Sequence, residues 1–370
     1  MKILFSAEKF YPPITGAEYS VLTLFEEMGR QNKIEAICTH EKTEMTDYKG
    51  IKIYHVKTKL TKLIGWSKRY FLNKMWFRIL DHFLENKKYD LVITHTTLVP
   101  ASVSAAKKHG IPVLTFVRGY DHFCLSHLKD VKVPDKHNCL KHASWKYKLQ
   151  YPFFKGLVEW HRKALMKSDI LMANSKFVQS ITKKWYGLNP EVIYPFVKLK
   201  NYTSKKRSPE YITLIRPVIR KGLEIFLKIA DAMPDKKFLT VGDCEKIRQI
   251  KKRKNITYIP WMSDMKSVYA QTKILLLPSI WQEPFGRVAV EAMCNGIPCI
   301  VSDRGGPPEI VKDAGIIIHN IFDIDAWVNA IERLDDGNFY EELSKKSIEQ
   351  VKEFDFKEQY IKFEKILKKV

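Results

Sequence analysis

Eleven short runs of β-branched and apolar residues alternate with stretches of helical period, and this alternation constrains the chain more than any other feature. KILFSA, IEAICT, IKIYHV, DLVITH, PVLTFV and DILMAN fall in the first half, and YITLI, KKFLTV, NITYI, KILLLP and IPCIVS in the second. Between most neighbours lie stretches such as GAEYSVLTLFEEMGR, whose apolar residues recur at helical spacing. Strand, helix, strand in repetition calls for crossover connections, and therefore for parallel sheets covered by helices. The pattern occurs twice. It is broken at residues 197–211, VKLKNYTSKKRSPEY, which are polar, basic and aperiodic. The expected architecture is α/β: two doubly wound, Rossmann-like domains facing across a cleft, residues 1–196 and 211–350, joined by a linker at 197–210. The length of 370 residues agrees, since single cores rarely grow that large.

Composition excludes several classes. With 45% hydrophobic and 28% charged residues and no long apolar run, a disordered chain and a membrane-spanning helix are both excluded. Glu8, Lys9 and a proline pair stand where a secretory signal would have its apolar core, and six scattered cysteines do not make a disulfide framework. A cytoplasmic protein is expected. The formal charge is +22, and residues 1–196 hold 32 Lys+Arg against 17 Asp+Glu, so the first half carries most of the excess. Such a surface suits an anionic partner. A nicotinamide-type nucleotide fold would show G-x-G-x-x-G after its first strand. This chain reads AEKFYPPITGAE there, which argues against it.

Chemistry concentrates in SIWQEPFGRVAVEAMCNGIPCIVSD, residues 279–303. KILLLP is a buried strand, SIWQEPFG a loop, and RVAVEAMCN a helix stopped by Gly296 and Pro298. Glu283 then sits in the strand-to-helix loop, followed by the amides of Phe285 and Gly286, which suit hydroxyl or phosphate oxygens. Glu291 lies about a turn and a half into the helix. Carboxylates accept from vicinal sugar hydroxyls; the plainer reading has Glu283 capping the helix and Glu291 on a solvated face. Two further loops favour a ligand. IRPVIRKG puts Arg216 and Lys221 after the first strand of the second domain, where two cations suit a diphosphate. SDRGGPPEIV puts Gly305 and Gly306 after a later strand and opens a helix with Glu309. Together the three loops describe a site for a nucleoside diphosphate sugar.

Over nearly its full length the chain resembles the GT-B fold, retaining glycosyltransferases of family 4, the glycosyl transferases group 1. The E-x7-E motif of that family is Glu283 to Glu291 here. Its basic pair is Arg216 and Lys221, its Gly-Gly-x-Pro-Glu loop is GGPPE, its NS is Asn174-Ser175, and its Gly-Gly-x-Glu is TGAE, with Gly16 and Glu18 kept and Thr15 in place of the first glycine. The resemblance implies that Arg216 and Lys221 bind the donor diphosphate and Glu291 the ribose. Glu283 and the amides of Phe285 and Gly286 would hold the sugar, and Gly16 would let the first domain close on the phosphates. It implies a nucleoside diphosphate sugar, UDP or GDP, as co-substrate, with a glycan or glycolipid acceptor in cell-surface polysaccharide synthesis. No metal or other cofactor is implied, because two cations neutralise the departing diphosphate. It further implies that residues 351–370 form a helix crossing back to the first domain. One departure stands out: VRGYDHFC places Arg118 where relatives carry a histidine close to the donor sugar. An arginine there can hold a carboxylate or phosphate, or Asp121 and His122 take over in a shifted register.

Other candidates are read beside this. His95, ending DLVITH, would face the cleft or be structural. His122, Cys124, His127, His137, Cys139 and His142 have spacing that suits zinc, though acceptor recognition is the preferred reading. In residues 61–88 a core stripe is set against Trp66, Tyr70, Phe77 and Leu84 on the opposite face, beside Lys74. That face would either pack within the domain or lie on an anionic membrane as a peripheral contact. The competing functions are another GT-B sugar nucleotide enzyme, an epimerase or phosphorylase, and a basic nucleic-acid or membrane binding protein. Nucleic acid is not the expected partner, since it would leave the three-loop site unexplained.

Overall fold

The computed structural model describes residues 1–58, 65–119, 145–205 and 208–368. The chain forms two compact units. Among the described residues, the first runs to Phe196 and takes in the chain from Gln359 onward, and the second runs from Val197 to Glu358.

The first unit contains the strands β1 (Lys2–Ala7), β2 (Lys33–His40), β3 (Glu44–Tyr48), β4 (Ile51–Lys57), β5 (Leu91–His95), β6 (Val113–Val117), β7 (Ile170–Ala173) and β8 (Glu191–Val192). They form one sheet in the order β3-β4-β2-β1-β5-β6-β7-β8, parallel except for the β3 and β4 pair. Every residue of β5 and β6 is buried, as a strand covered by helices on both faces requires, whereas the polar edge strand β3 is mostly exposed. β3 carries no hydrophobic run, which is why its sequence does not announce it.

The second unit contains β9 (Tyr211–Ile215), β10 (Phe238–Val241), β11 (Ile256–Ile259), β12 (Thr272–Leu277), β13 (Cys299–Ser302) and β14 (Ile316–Ile318). Its sheet is wholly parallel, in the order β11-β10-β9-β12-β13-β14. Counted from its own first strand this is the doubly wound order 3-2-1-4-5-6. Phe226, Phe238, Ile274 and Trp327 are among the residues that fill its core. All eleven predicted strands are present; β3, the two-residue β8 and β14 are additions.

Residues 197–205, read from sequence as a linker, are folded onto the second unit. Val197 bridges to Asp355, and the Asn295 side chain donates to Tyr202 O at 3.0 Å while accepting from Ser204 N at 2.8 Å. Within the first unit, the returning segment is anchored by Gln359 Oε1, which accepts from Tyr194 N at 3.0 Å, and by Phe363, packed on Phe116 and Phe196.

The helix Gly65–Glu85 decides between the two readings of its aromatic face. Trp66 is 4% exposed and meets Phe154 edge to face, and Tyr70 lies against Trp160 and Phe153 with Gly156 beneath its ring. Leu84 is buried as well. The helix Tyr151–Lys167 packs on Trp66 and Tyr70; Trp66 and Leu84 are core, whereas Tyr70 and Phe77 are half-buried, so the four do not make the outward aromatic surface a membrane contact needs. No described helix is long and apolar enough to cross a membrane.

Candidate functional site

In the second sheet, connections from β9 run to one side and those from β12 to the other, so the switch point lies between these two neighbouring strands. Ligands of open α/β sheets bind outside the carboxyl ends of strands at such a point. The loop after β9 carries Arg216 and Lys221, the loop after β12 carries Glu283, and the loop after β13 carries Gly305 and Gly306.

These three loops interlock through their backbones. Arg220 O accepts from Ile280 N at 3.0 Å and from Trp281 N at 3.3 Å, which ties the first loop to the second. Glu283 bridges to Gly305, and its carbonyl accepts from Gly306 N at 2.7 Å, which ties the second to the third. The glycines are needed for these approaches. Gly222, at φ +84°, would place a Cβ 2.6 Å from the Pro278 carbonyl carbon, and Gly305, at φ +78°, would place one 2.7 Å from Glu283 N. A Cβ on Gly306 would come within 2.8 Å of the Phe285 and Pro284 backbones. Gly305 and Gly306 are thus small because the Glu283 loop lies on them.

Glu283 is held from both sides. Lys221 Nζ stands 3.2 Å from its Oε2, and Trp281 Nε1 donates to the same oxygen at 3.0 Å. The Arg220 guanidinium lies over the Trp281 ring at 4.7 Å. Arg216 is exposed and adopts φ +60°, a left-handed backbone that costs a non-glycine residue about 1–2 kcal/mol. Its N–H donates to Val241 O at 2.6 Å, and Glu245 braces the same loop by accepting from Ile219 N at 3.0 Å. Strain kept by its surroundings in this way concentrates at functional sites.

Glu291 does not lie on a solvated face. It is 6% exposed and belongs to a buried network: Tyr269 donates to its Oε2 at 2.7 Å, Arg287 Nε pairs with Oε1 at 2.7 Å, and Arg287 in turn donates to Tyr202. The solvated-face alternative is therefore overturned. Burial, and then the Glu291 charge, raise the Tyr269 pKa well above its usual value. Burial opposes the Arg287 charge, and the Glu291 carboxylate outweighs it, so the Arg287 pKa rises. Arg287 was legible as the residue four before Glu291; Tyr269, Tyr202, Trp281 and the buried Arg304 had no local signal. Gly286 caps the helix Arg287–Met293 at φ +102°, whereas the Phe285 side chain is core, packed on Phe354, so Phe285 can offer a ligand only its backbone. Glu309 is half-buried in the first turn of Pro307–Val311.

In the first sheet the switch point lies between β1 and β5. Gly16 opens the exposed start of the helix after β1, and Glu18 accepts from Ile14 N and Thr15 N at 2.5 and 2.9 Å, fixing that loop. His95 ends β5 and is 3% exposed, stacked on Phe5. Burial, and then the nearby Arg118 charge, hold its pKa well below the usual imidazole range, so it is neutral. Arg118 follows β6, lies over Phe116 at 4.9 Å and donates to Ala17 O at 3.3 Å. Asn174 follows β7 and donates to Arg118 O at 3.2 Å, and Ser175 accepts from Val178 N at 3.0 Å as a helix cap. Asp121, His122 and the His/Cys cluster lie outside the described residues, among which no group of His, Cys, Asp and Glu is placed to hold a metal.

Residues 14–201 match the family described as Glycosyltransferase Family 4, and residues 197–354 match Glycosyl transferases group 1. An "Uncharacterized 42.6 kDa protein in cps region" of Klebsiella pneumoniae is 25% identical over 87% of this chain and 89% of its own. A UDP-Gal:alpha-D-GlcNAc-diphosphoundecaprenol alpha-1,3-galactosyltransferase of Escherichia coli is 31% identical over 30% of this chain and 31% of its own. The Anabaena HepE structure in complex with UDP and glucose superposes with a TM-score of 0.74 over the whole of both chains at 17% identity. Two mainly parallel Rossmann-like sheets, matched from residue 14 to residue 354 by the two family descriptions, have the fold class of GT-B enzymes: the chain belongs to glycosyltransferase family 4 and is a glycosyltransferase.

Proposed function

We propose that the enzyme moves a sugar, with retention of configuration, from a nucleoside diphosphate sugar to a glycan or glycolipid acceptor in polysaccharide synthesis. The observation that carries this reading is the convergence of Arg216, Lys221 and Glu283 on interlocked loops at the switch point of the second sheet. The HepE complex and the galactosyltransferase relative support it by analogy.

In this reading Arg216 and Lys221 hold the diphosphate and neutralise charge as the sugar bond breaks, the role a metal takes elsewhere. Glu283 and the Phe285 and Gly286 backbones hold the sugar hydroxyls. Lys221 approaches the phosphate while paired with Glu283, so one contact sets both groups. Glu291 supports the ribose end through one face of its buried carboxylate, and Glu309 and the Gly305–Gly306 backbone close the same edge. The test is a thermal-shift panel of UDP, GDP, ADP and their sugar conjugates, with Lys221→Ala alongside. Ligand at about 100 times Kd stabilises by about 2.7 kcal/mol. A shift for one base, lost in the variant, supports the reading; no shift with any nucleotide overturns it.

We also propose peripheral membrane contact through the first unit, by a different surface from Trp66 and Tyr70. Trp145 and Leu149 are 67% and 69% exposed, and Phe71 is at the surface on the helix that also bears exposed Lys74. Aromatic and aliphatic groups beside lysines suit an anionic interface.

A further inference from the structure

The two oxygens of the Glu283 carboxylate are not equivalent. Oε2 receives two donors, the Lys221 ammonium at 3.2 Å and the Trp281 indole N–H at 3.0 Å. Among the described residues no hydrogen bond or ion pair reaches Oε1. The two donors differ in what they can fix. An ammonium on a flexible stem attracts the carboxylate without choosing its plane, and the terminal torsion of a glutamate has broad wells. A lone cation would leave the group free to turn. An indole carries a single N–H on a rigid ring, and the direction of that bond selects one oxygen.

The ring that carries this N–H is itself held. Arg220 O accepts from Trp281 N, and the Arg220 guanidinium lies over the indole face at 4.7 Å. Arg220 grips Trp281 by backbone and by side chain, while its neighbour Lys221 grips Glu283. The indole bond is not what ties the loops together. Backbone bonds already do so, from Ile280 N and Trp281 N to Arg220 O and from Gly306 N to Glu283 O. What the indole adds is the setting of one carboxylate, and supporting bonds of that kind preorganise a group for its ligand.

We infer that Trp281 is a positioning residue for sugar recognition: its indole N–H occupies Oε2 of Glu283, Arg220 fixes the ring, and Oε1 is the oxygen presented to the sugar hydroxyls. This rests on Glu283 as the sugar contact of the transfer reading. A carboxylate held in this way accepts through one oxygen and does not span two hydroxyls with both.

The test is calorimetric titration of the full chain with UDP against UDP-glucose and UDP-galactose, and with GDP against GDP-mannose. For the base that binds, the sugar's contribution is the ratio of the two dissociation constants. Trp281→Phe keeps a ring beneath Arg220 and removes the N–H. It should lower the sugar's contribution about tenfold, the scale of losing a hydrogen bond to a charged group, while the Kd of the nucleoside diphosphate stays within about twofold. Arg220→Met leaves the indole in place and covers the case in which Trp281→Phe does not fold. It should cause the same selective loss at about two- to fivefold, the scale of one cation–ring contact. Equal weakening of nucleoside diphosphate and sugar nucleotide in these variants overturns the inference, because it would make Trp281 a brace of the loop alone. An unchanged sugar contribution in Trp281→Phe overturns it too. A wild type that binds nucleotide through Lys221 and gains nothing from the sugar sinks this inference and leaves the nucleotide site standing; a wild type that binds no nucleotide sinks the function reading and this inference with it.

Discussion

Lys221 Nζ lies 3.2 Å from Glu283 Oε2, with the two side chains only 18% and 12% exposed, so the cation and the carboxylate are set by one contact between two loops. Such a pair acts as a unit. Lys221→Ala and Glu283→Ala should each lower the transfer rate by about 10²–10³-fold, the scale of losing one preorganised charge contact. The double variant should lose little more than either single one. Steady-state rates for the four proteins, with melting temperatures to confirm folding, check this; losses that multiply would show that the residues act separately.

Breaking the buried Arg287–Glu291 pair leaves an uncompensated charge, because both side chains are nearly inaccessible. Glu291→Ala should destabilise the second unit by about 3–5 kcal/mol. Glu291→Gln, which keeps the shape and an acceptor for Tyr269, should cost less. Urea midpoints distinguish the two; equal values would mean that the lost charge accounts for the whole cost and that shape and the acceptor for Tyr269 contribute nothing.

Gly305→Ala directs a methyl group into the Glu283 backbone. The second and third loops must then part, so the expected outcome is loss of both stability and nucleotide binding. A control at Gly50, where no atom lies within 4 Å of an added Cβ, should be milder despite its φ of +83°. Parallel melting curves read the difference.

Stability should fall on mild acidification. His161 is 3% exposed, and burial lowers its pKa from 6.5 to about 3. Between these values the unfolded chain binds a proton that the folded chain refuses, so stability is full above pH 6.5 and declines as pH drops. Going from pH 7 to 5 should remove about 2 kcal/mol through this group, at about 1.4 kcal/mol per pH unit. His95 acts in the same direction. Urea titrations of the wild type and His161→Leu at both pH values test it, and the variant should show the smaller change.

For the proposed membrane contact, sedimentation with vesicles containing anionic phosphatidylserine should fall when Trp145 and Leu149 are changed together to serine. Trp66→Ser should instead unfold the first unit, because its ring is core. Undiminished sedimentation of the double variant would remove this surface from the account.

The sequence by itself determined both sheets, because strands such as LVITH and VLTFV are buried on both faces and must be continuously apolar. It also determined which loops carry Arg216, Lys221 and Glu283, since each follows a recognisable strand. Tertiary structure decided whatever depends on approach between distant segments. Gly305 and Gly306 could be seen to need small side chains, but only the fold shows that the Glu283 backbone lies against them. The helical position of Glu291 leaves a solvated face open, and only the bond from Tyr269, 22 positions earlier in the chain, closes it. The helical period of residues 65–85 shows two apolar faces, and only the position of the helix Tyr151–Lys167 decides that Trp66 on the second of them is core. The periodicity of a segment fixes which side chains share a face, whereas what meets that face is set by contacts made across the whole chain.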